Sequence, residues 1–355
     1  MKKVKLGQLV SIQTGKLDAN AAIFGGKYPF FTTAKEISRI NEYAYDGEVV
    51  LVAGNGDLNV KYYKGKFNAY QRTYILTSNS NVRMKYLYYF LDKYIEVLRY
   101  QSIGGVIKYI KLNNLSDAQI PMRSILEQDK IIGILEKLDN EIIIRSKQLS
   151  ELSNLVKSRF NEMFILSDFS LKRLGELVDE VRYGTSLPAT LNGKYGYLRM
   201  NNITEDGRLN IQNLKHIDVP EKDLEKYVVR KGDVLFNRTN SIELVGKTCI
   251  YELDFDMVIA GYIIRIRTKN NILNPRYLSE FLNFPSTKKF LRNIAKGAVN
   301  QANINAKELQ DISIPLPPLS LQNEFADFVA QVDKSQFACE IAIKVWRNSL
   351  KFSII

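Results

Sequence analysis

Histidine is nearly absent from this chain, which has a single one, His216, among 355 residues. A catalytic triad that needs an imidazole base, or a zinc site built from clustered Cys and His, could therefore use one histidine at most. His216 lies in the segment LKHIDVP, flanked by Leu214 and Ile217, a setting typical of an ordinary strand or loop residue. We therefore expect it to have no catalytic role and expect no metal site in the chain.

Cysteines and long hydrophobic runs are also scarce. Cys249 and Cys339 stand far apart in sequence, so we expect no disulfide framework, and a reducing cytoplasm fits this composition. No apolar run approaches the ~18 residues of a membrane-spanning helix. The basic start, MKKVKLGQLVSIQTGK, lacks the apolar segment of a signal peptide. These absences predict a cytoplasmic protein that does not enter a membrane.

Motifs of several enzyme classes are missing as well. VGKT at 245–248 resembles the end of a phosphate-binding loop, but Ser241 stands where that loop needs a glycine. The chain has no Glu-x-Lys or Asp-x-Lys of metal-dependent nucleases, and no Asn-Pro-Pro-Tyr or Asp-Pro-Pro-Tyr of amino-methyltransferases. We therefore expect no catalytic residue in this chain and expect any chemistry to come from another chain.

Positive charge is in excess, with 50 Lys and Arg against 38 Asp and Glu, a net charge of +12 and a pI near 9.4. Such an excess favours binding to a polyanion but does not identify it. At 45% hydrophobic and 25% charged residues, the composition is that of a folded protein. The length predicts at least two hydrophobic cores.

The chain contains an internal duplication. The matching segments are VKLGQL with KRLGEL, GEVVLVAGNG with GDVLFNRTNS, and NNLSDAQIPMRSILEQDKIIGIL with KELQDISIPLPPLSLQNEFADFV. The offset between them grows from 168 through 185 to 194 residues, as insertions in the second copy would produce. A period this long indicates a duplicated domain rather than an array of short repeats.

Each copy ends in one long predicted helix that follows an Ile-Pro pair. Proline disfavours helix in the residue before it, so the pair should end an extended segment. Apolar residues then recur at alternating intervals of four and three, the heptad pattern of a coiled coil, with one polar break at Arg145 or Gln336. The predicted seam comprises Ile131, Leu135, Leu138, Ile142, Leu149, Leu152 and Val156, and then Phe325, Val329, Val332, Cys339, Ile343, Trp346 and Leu350.

The predicted fold class is α+β, with two tandem mixed α/β domains separated by two long helices. Helices of roughly 35 to 40 residues, roughly 50 to 60 Å long, cannot bury a narrow seam against a small domain. We therefore expect an antiparallel coiled coil with pseudo-twofold symmetry, and packing of each helix on its own domain is the alternative. One shorter helix is predicted in each domain, at 85–99 and 275–293. The predicted segments are 1–124 (first domain), 125–166 (first helix), 167–318 (second domain) and 319–355 (second helix).

The predicted loops carry side chains suited to reading base edges. In the major groove Arg can form two hydrogen bonds with guanine, and Asn or Gln two with adenine, although Asn in a loop more often shapes a turn. Candidate DNA-binding residues in the first copy are Lys16, Asn55, Asp57, Asn59, Lys61, Asn68, Gln71, Arg72 and Lys108. Those in the second copy are Arg182, Tyr183, Arg199, Asn201, Asn202, Asn237, Arg238, Thr239, Asn240, Lys247, Asn300, Gln301 and Asn303.

Taken together, these features resemble the specificity subunit of type I restriction-modification systems. The resemblance depends on the duplication, on QIPMRSILEQDKIIGILEKLDNEI and SIPLPPLSLQNEFADFVAQVDK, and on the openings VKLGQLVSIQTGK and KRLGELVDEVRYGT. It implies two target recognition domains that each read half of a split DNA site, with the helices as a spacer and as a dock for two methyltransferase subunits. Restriction subunits would complete the complex. S-adenosylmethionine, ATP and Mg would belong to these partners, with no cofactor in this chain.

The sequence departs from the family pattern in two places and leaves two other functions open. Residues 122–125 replace a Pro-Pro stretch in the first copy, and the second copy has QN where the family has EQ. A stand-alone DNA-binding regulator is the alternative, and an enzyme with an unrecognised site is the least favoured interpretation.

If the helices act as a ruler, half-sites should lie on the order of one ~34 Å DNA turn apart. Four residues inserted near Ser146 should then change the spacer or abolish recognition.

Overall fold

The computed structural model describes residues 2–298 and 301–352, and the chain divides into two compact units. The first unit is Met1–Lys147 together with Cys339–Ile355, and the second is Gln148–Ala338. Each unit contains strands, short helices and a part of both long helices. The predicted α+β class is therefore confirmed.

The first unit is a mixed sheet with a helix on one face. In chain order its elements are β1 (Lys3–Lys5), β2 (Val10–Thr14), β3 (Tyr28–Phe31), β4 (Ser38–Ile40), β5 (Tyr45–Ala53), β6 (Val60–Ala69), β7 (Thr73–Ser78), α1 (Met84–Gln101), α2 (Leu112–Ser116), β8 (Gln119–Pro121) and the start of α3 (Ile125–Phe160). The sheet order is β2-β7-β5-β6-β3-β4, with only β3 and β6 parallel, and β1 pairs with β8. The helix predicted at 85–99 is confirmed as α1.

Strand β5 is buried on both faces because two different layers cover it. Val50 lies in the hydrophobic cluster that includes Leu87 of α1, whereas its neighbour Val49 lies in a second cluster with Phe67. Successive side chains of a strand point to opposite faces of the sheet. The near-continuous apolar run VVLVA is the sequence pattern expected for such a strand.

The second unit uses several smaller sheets. Its elements are β9 (Leu171–Arg173), β10 (Val178–Tyr183), β11 (Tyr195–Leu198), β12 (Lys215–Ile217), α4 (Glu221–Tyr227), β13 (Val228–Val229), β14 (Val234–Asn237), β15 (Thr239–Asn240), β16 (Thr248–Ile250), β17 (Met257–Ile259), β18 (Ile263–Thr268), α5 (Pro275–Asn283), α6 (Pro285–Ile294), β19 (Lys296–Ala298), β20 (Gln301–Asn303), α7 (Ala306–Gln310), β21 (Ser313–Pro315) and the start of α8 (Leu319–Phe352). The sheet orders are β10-β18-β14-β16, β12-β11-β17-β13, β15-β20-β19 and β21-β9.

The prediction of a single helix at 275–293 in the second unit is wrong. The segment 275–293 forms α5 and α6, with Phe284 extended between them (φ −63°, ψ 142°). Proline has no N–H to bond back to the preceding turn, and it disfavours helix in the residue before it. Pro285 therefore ends one helix and begins the next.

The long helices pair antiparallel within each unit. In the second unit Gln336 of α8 donates to Ser153 Oγ of α3 (3.0 Å), and Arg159, later in α3, bonds Glu324, earlier in α8 (3.2 Å). In the first unit Leu350, near the end of α8, lies in the cluster of Leu135. The predicted antiparallel pairing is therefore confirmed, and every predicted seam residue is buried or half-buried.

Each long helix also packs on the domain that precedes it. Leu135 of α3 shares a cluster with Leu87 of α1, and Phe325 of α8 shares one with Tyr277 of α5. The first half of each long helix therefore contacts both its own domain and the last part of the other long helix. The two arrangements that the sequence presented as alternatives therefore coexist.

Candidate nucleic-acid interface

Structurally equivalent strands identify the same surface in both copies. Strand β2 pairs with β7 as β10 pairs with β18, and a bulge between Val178 and Glu180 adds one residue to the second copy. The offset between the copies therefore rises from 168 at the start of this strand to 169 at Gly15 and Gly184. A single bulge accounts for the first step in the growing offset.

The match between β5 and β14 differs by one residue from the sequence comparison. Val50 pairs with Leu76, and Val234 pairs with Ile266 in the equivalent ladder. This places the two strands at an offset of 184 rather than the 185 suggested by GEVVLVAGNG and GDVLFNRTNS. The glycines before the two strands, Gly47 and Gly232, differ by 185. The hydrogen bonds of the ladders determine the structural register, and they align the strands themselves one residue differently.

A glycine lets the loop after β2, and the equivalent loop after β10, lie against a neighbouring turn. A Cβ at Gly15 would come within 2.2 Å of Ala69 O, and one at Gly184 within 2.2 Å of Ile259 O. Real Cβ atoms do not approach backbone oxygens this closely, so only glycine fits at either position. The close approach brings the loop that begins with Lys16 against the β6–β7 turn, where Gln71 N–H donates to Leu17 O (2.8 Å).

A polar cleft of 590 Å³ opens at this end of the first sheet. Backbone bonds hold its loops together, since Gly54 N–H donates to Arg72 O and Gly56 N–H donates to Lys108 O, both at 2.8 Å. The lining residues are Thr14, Gly54, Asn55, Tyr70, Gln71, Arg72, Tyr74, Ile107, Tyr109 and Ile110. Three predicted residues, Asn55, Gln71 and Arg72, are thus brought together, and Lys16 and Lys108 are exposed on the loops that border the cleft.

Three other candidates of the first copy support the fold instead. Asn59 Nδ2 donates to Thr33 O (2.8 Å), and Lys61 Nζ donates to Ala34 O (2.6 Å). Burial lowers the pKa of Lys61, and Asn68 is only 5% exposed. These side chains secure neighbouring loops to the sheet, so the structure does not place them in the cleft.

Asp57 is also engaged within the protein. Its carboxylate lies 3.1 Å from both Lys35 and Arg99, and the hydrogen bond and charge of Lys35, with Arg99, hold its pKa below the usual range. Arg99 also donates to Leu58 O (2.8 Å), so the end of α1 is joined to the loop after β5. Asp57 therefore offsets two positive charges beside the cleft rather than adding to attraction for phosphate.

Sequence reasoning missed a glycine hairpin that both copies share. Ile103 pairs with Tyr109 in the first copy, and Lys296 pairs with Asn303 in the second. Gly104 and the equivalent Gly297 have φ of 112° and 115°, a conformation that favours glycine. The similar segments IGGVIKYI and KGAVNQANI, each a short distance before an Ile-Pro pair, were the signal that could have revealed it.

The equivalent surface of the second copy centres on an arginine. The guanidinium of Arg238 lies 4.8 Å from the centre of the Tyr183 ring, and its Nη1 donates to Gly261 O (3.3 Å). Its Nε is buried with no hydrogen-bond partner among the described residues. Thr239 Oγ1 donates to Asn303 Oδ1 (3.1 Å) on the adjoining hairpin. Four predicted residues therefore meet where the equivalent loops of the first copy form the cleft.

Two predicted asparagines of the second copy are structural. Asn202 is 2% exposed, accepts from Arg199 N–H (2.9 Å) and donates to Asn210 O (2.8 Å). Asn237 is fully buried and accepts from Asn240 Nδ2 (3.0 Å). Buried amides that satisfy backbone groups in turns are the common use of asparagine. These side chains shape the loops rather than project from them.

The remaining candidates of the second copy do not form one group. Arg182 is held by a neighbouring glutamate at 2.5 Å. Lys247 is 8% exposed, and burial lowers the pKa of its ammonium group. Asn201 and Gln301 are exposed, and Asn300 lies outside the described residues.

Residues 2–298 and 301–352 hold no group of His, Cys, Asp and Glu arranged to bind a metal ion. Within the same residues, no helix has the length and apolar character needed to cross a membrane. His216 is exposed on β12, where it pairs with Gly196.

Comparison with known proteins identifies relatives of both copies. A family model described as the type I restriction modification DNA specificity domain matches residues 1–154 and again 167–345. The EcoDI type I restriction enzyme specificity subunit of Escherichia coli is 38% identical over 188 residues, 53% of this chain and 41% of that protein. The putative MjaX specificity subunit of Methanocaldococcus jannaschii is 32% identical over 190 residues, 52% of this chain and 44% of that protein. The match spans less than half of the length of either relative.

A solved structure shares the fold over the whole length. The crystal structure of a type I restriction-modification S subunit from M. genitalium has a TM-score of 0.67 to this chain at 17% identity, and the match covers 100% of this chain and 96% of that one. At this level of identity the likeness concerns the fold alone.

Proposed function

The chain belongs to the type I restriction modification DNA specificity family, and we propose that it selects the DNA sequence on which a type I complex acts. Each copy reads one half of a split site. The observation that carries the proposal is the double match of the family model, one match for each copy, together with equivalent loops in both copies.

The two surfaces offer side chains that can distinguish base pairs. In the first cleft the amides of Asn55 and Gln71 suit adenine, and the guanidinium of Arg72 suits guanine. In the second copy Tyr183 and the Gly261 carbonyl orient Arg238, so less side-chain entropy is lost when it binds. The net charge of +12 supplies attraction to the phosphate backbone.

Partner subunits supply the chemistry in this proposal. Two methyltransferase subunits dock on the long helices, and restriction subunits join to cleave DNA in the cytoplasm. S-adenosylmethionine, ATP and Mg belong to those partners. In support, both helices expose large apolar side chains away from their seam, as docking surfaces do. These are Leu126, Ile134, Ile143, Ile144, Leu155, Phe337, Ile341 and Val345.

Modified-base sequencing of the source genome, with and without this gene, tests the proposal. Deletion should remove adenine methylation at one split motif, and the intact gene should restore it. Complementation with Arg72→Ala should relax or weaken recognition of one half-site only, and Arg238→Ala the other. The two variants therefore serve as controls for each other.

Two results would contradict the proposal. Methylation that is unchanged by deletion, in cells that express the partner genes, would show that this chain does not direct it. Tight binding of the purified chain to one unsplit sequence would instead support the stand-alone regulator.

A further inference from the structure

One buried glutamine occupies the same place in both copies. Gln128 is the fourth residue of α3 and Gln322 the fourth residue of α8, at an offset of 194. Both are fully buried, with 0% exposure. A buried primary amide must have its hydrogen bonds satisfied within the protein. Its partners therefore show which parts of the chain it joins.

In the first copy the amide bridges the starts of two helices. Gln128 Oε1 accepts from the backbone N–H of Arg83, the N-cap residue of α1, at 2.9 Å. Its Nε2 donates to Arg123 O, just before α3, also at 2.9 Å. One side chain therefore connects the first turn of the long helix to the first turn of α1.

The second copy repeats this bridge. Gln322 Oε1 accepts from the N–H of Asn274, the N-cap residue of α5, at 2.8 Å. Its Nε2 donates to Pro317 O at 2.8 Å, just before α8, and to Ile272 O at 3.0 Å. The same chemistry at the same junction in both copies indicates one structural requirement.

A tyrosine strengthens each junction. Tyr86 Oη donates to Pro121 O (2.6 Å), and Tyr277 Oη donates to Pro315 O (2.7 Å). Both tyrosines are the third residue of their helix and are fully buried. The acceptors are the prolines of the two Ile-Pro pairs, so each junction is held by a side chain from both of its helices.

The junction lies at one end of α1 and the recognition loops lie at the other. The hairpin of Ile103 and Tyr109 follows the end of α1 directly, and Arg99 in its last turn bonds the loop after β5. Helix α1 has 18 residues and is therefore about 27 Å long. A tilt of about 7° at the junction would move the far end by about 3.4 Å, the rise of one base pair.

We propose that Gln128 and Gln322 are positioning residues that fix the angle between each long helix and the recognition unit it supports, and thereby the spacer between the half-sites. The proposal rests on the proposed function, because it assumes that each copy reads half of a split site. Loss of the amide removes the bridge between the two helix starts, so the joint gains freedom and neighbouring spacers become acceptable.

The test compares Gln322→Leu with Gln331→Leu in the full chain, co-expressed with its partner subunits. Leucine removes both hydrogen-bonding groups at similar volume, and Gln331 is an exposed glutamine on the same helix. The readout is methylation of a plasmid library whose half-sites are separated by the native spacer or by one base pair more or less. Gln322→Leu should raise the ratio of methylation at neighbouring spacers to that at the native spacer several-fold. Gln331→Leu should keep the ratio of the unaltered chain.

Lower methylation with an unchanged ratio would overturn the proposal, because a side chain that only stabilises the fold changes the amount of active protein and not the spacer preference. If Gln322→Leu gives no soluble chain, Tyr277→Phe takes its place, since it removes one bond of the same junction and keeps the ring. Failure of the proposed function would be distinct, because the unaltered chain would then direct no methylation at any spacer.

Discussion

Replacing Phe325 with alanine should strongly destabilise the second unit. This side chain is 0% exposed and lies where α8 meets the end of α3. Its ring centre is 5.3 Å from that of Phe160 and 5.4 Å from that of Phe164, both edge-on. Phe160 in turn stacks on Tyr277 of α5 at 5.7 Å. The aromatic cluster therefore joins both long helices to α5.

The expected loss follows from the burial and the ring contacts. Truncation of a buried phenylalanine to alanine costs about 3 to 5 kcal/mol, and each edge-to-face pair contributes about 0.5 to 1.5 kcal/mol of such a loss. In a unit of about 190 residues, each kcal/mol shifts the melting temperature by about 2 to 4 °C. Phe325→Ala should therefore lower the midpoint by about 6 to 20 °C.

Differential scanning calorimetry of the full chain measures this shift, with Phe337→Ala as the matched control. Phe337 lies on the same helix but is 63% exposed. Its truncation should change stability by no more than about 0.5 kcal/mol, which is within about 2 °C. Equal losses from the two variants, or no loss from Phe325→Ala, would refute the inference that the buried aromatic cluster holds the second unit together.

Three further predictions concern charge and backbone. Burial raises the pKa of Glu280 from 4.5 to about 7, so the contribution of this side chain to stability falls as pH rises from 4.5 to 7. Glu280→Gln should therefore raise the melting temperature at pH 8 but not at pH 4.5. An equal change at both pH values would contradict this. Gly184→Ala should lower the melting temperature sharply, because its Cβ would lie 2.2 Å from a backbone oxygen, whereas Gly105→Ala has open space and should not. Arg72→Ala should weaken binding of the assembled complex to its native site by about 1 to 3 kcal/mol, because the guanidinium no longer pairs with guanine, and should have much less effect on a site in which that guanine is replaced. Fluorescence anisotropy measures both affinities, and an equal loss on the two sequences would contradict the base-reading role.

The architecture could be predicted because its signals are local and periodic. The seam from Ile131 to Val156 and from Phe325 to Leu350 follows from spacing alone, since residues three and four apart share one helix face. The Ile-Pro pairs predicted the extended segments β8 and β21, because proline restricts the residue before it. The single predicted helix at 275–293 was wrong because the effect of Pro285 was not applied there.

The candidate interface could be predicted only in part. Asn55 comes just after β5 and Asn237 is the last residue of β14, in similar segments, yet Asn55 lines the cleft while Asn237 is buried against Asn240. An asparagine has the same donors and acceptors in either role, so its partners decide its use. The partners come from loops distant in sequence, and no local pattern reports them.

The sequence by itself determined the duplication, the two long amphipathic helices and the positive charge, because composition and periodicity are properties of the chain alone. Tertiary structure alone decided that Gln71 and Arg72 meet Asn55 beside the glycine hairpin, and that Gln128 bridges two helix starts. These juxtapositions depend on strand register and on close backbone approaches such as that at Gly15. Such contacts join residues tens of positions apart, and their geometry exists only once the sheet has formed.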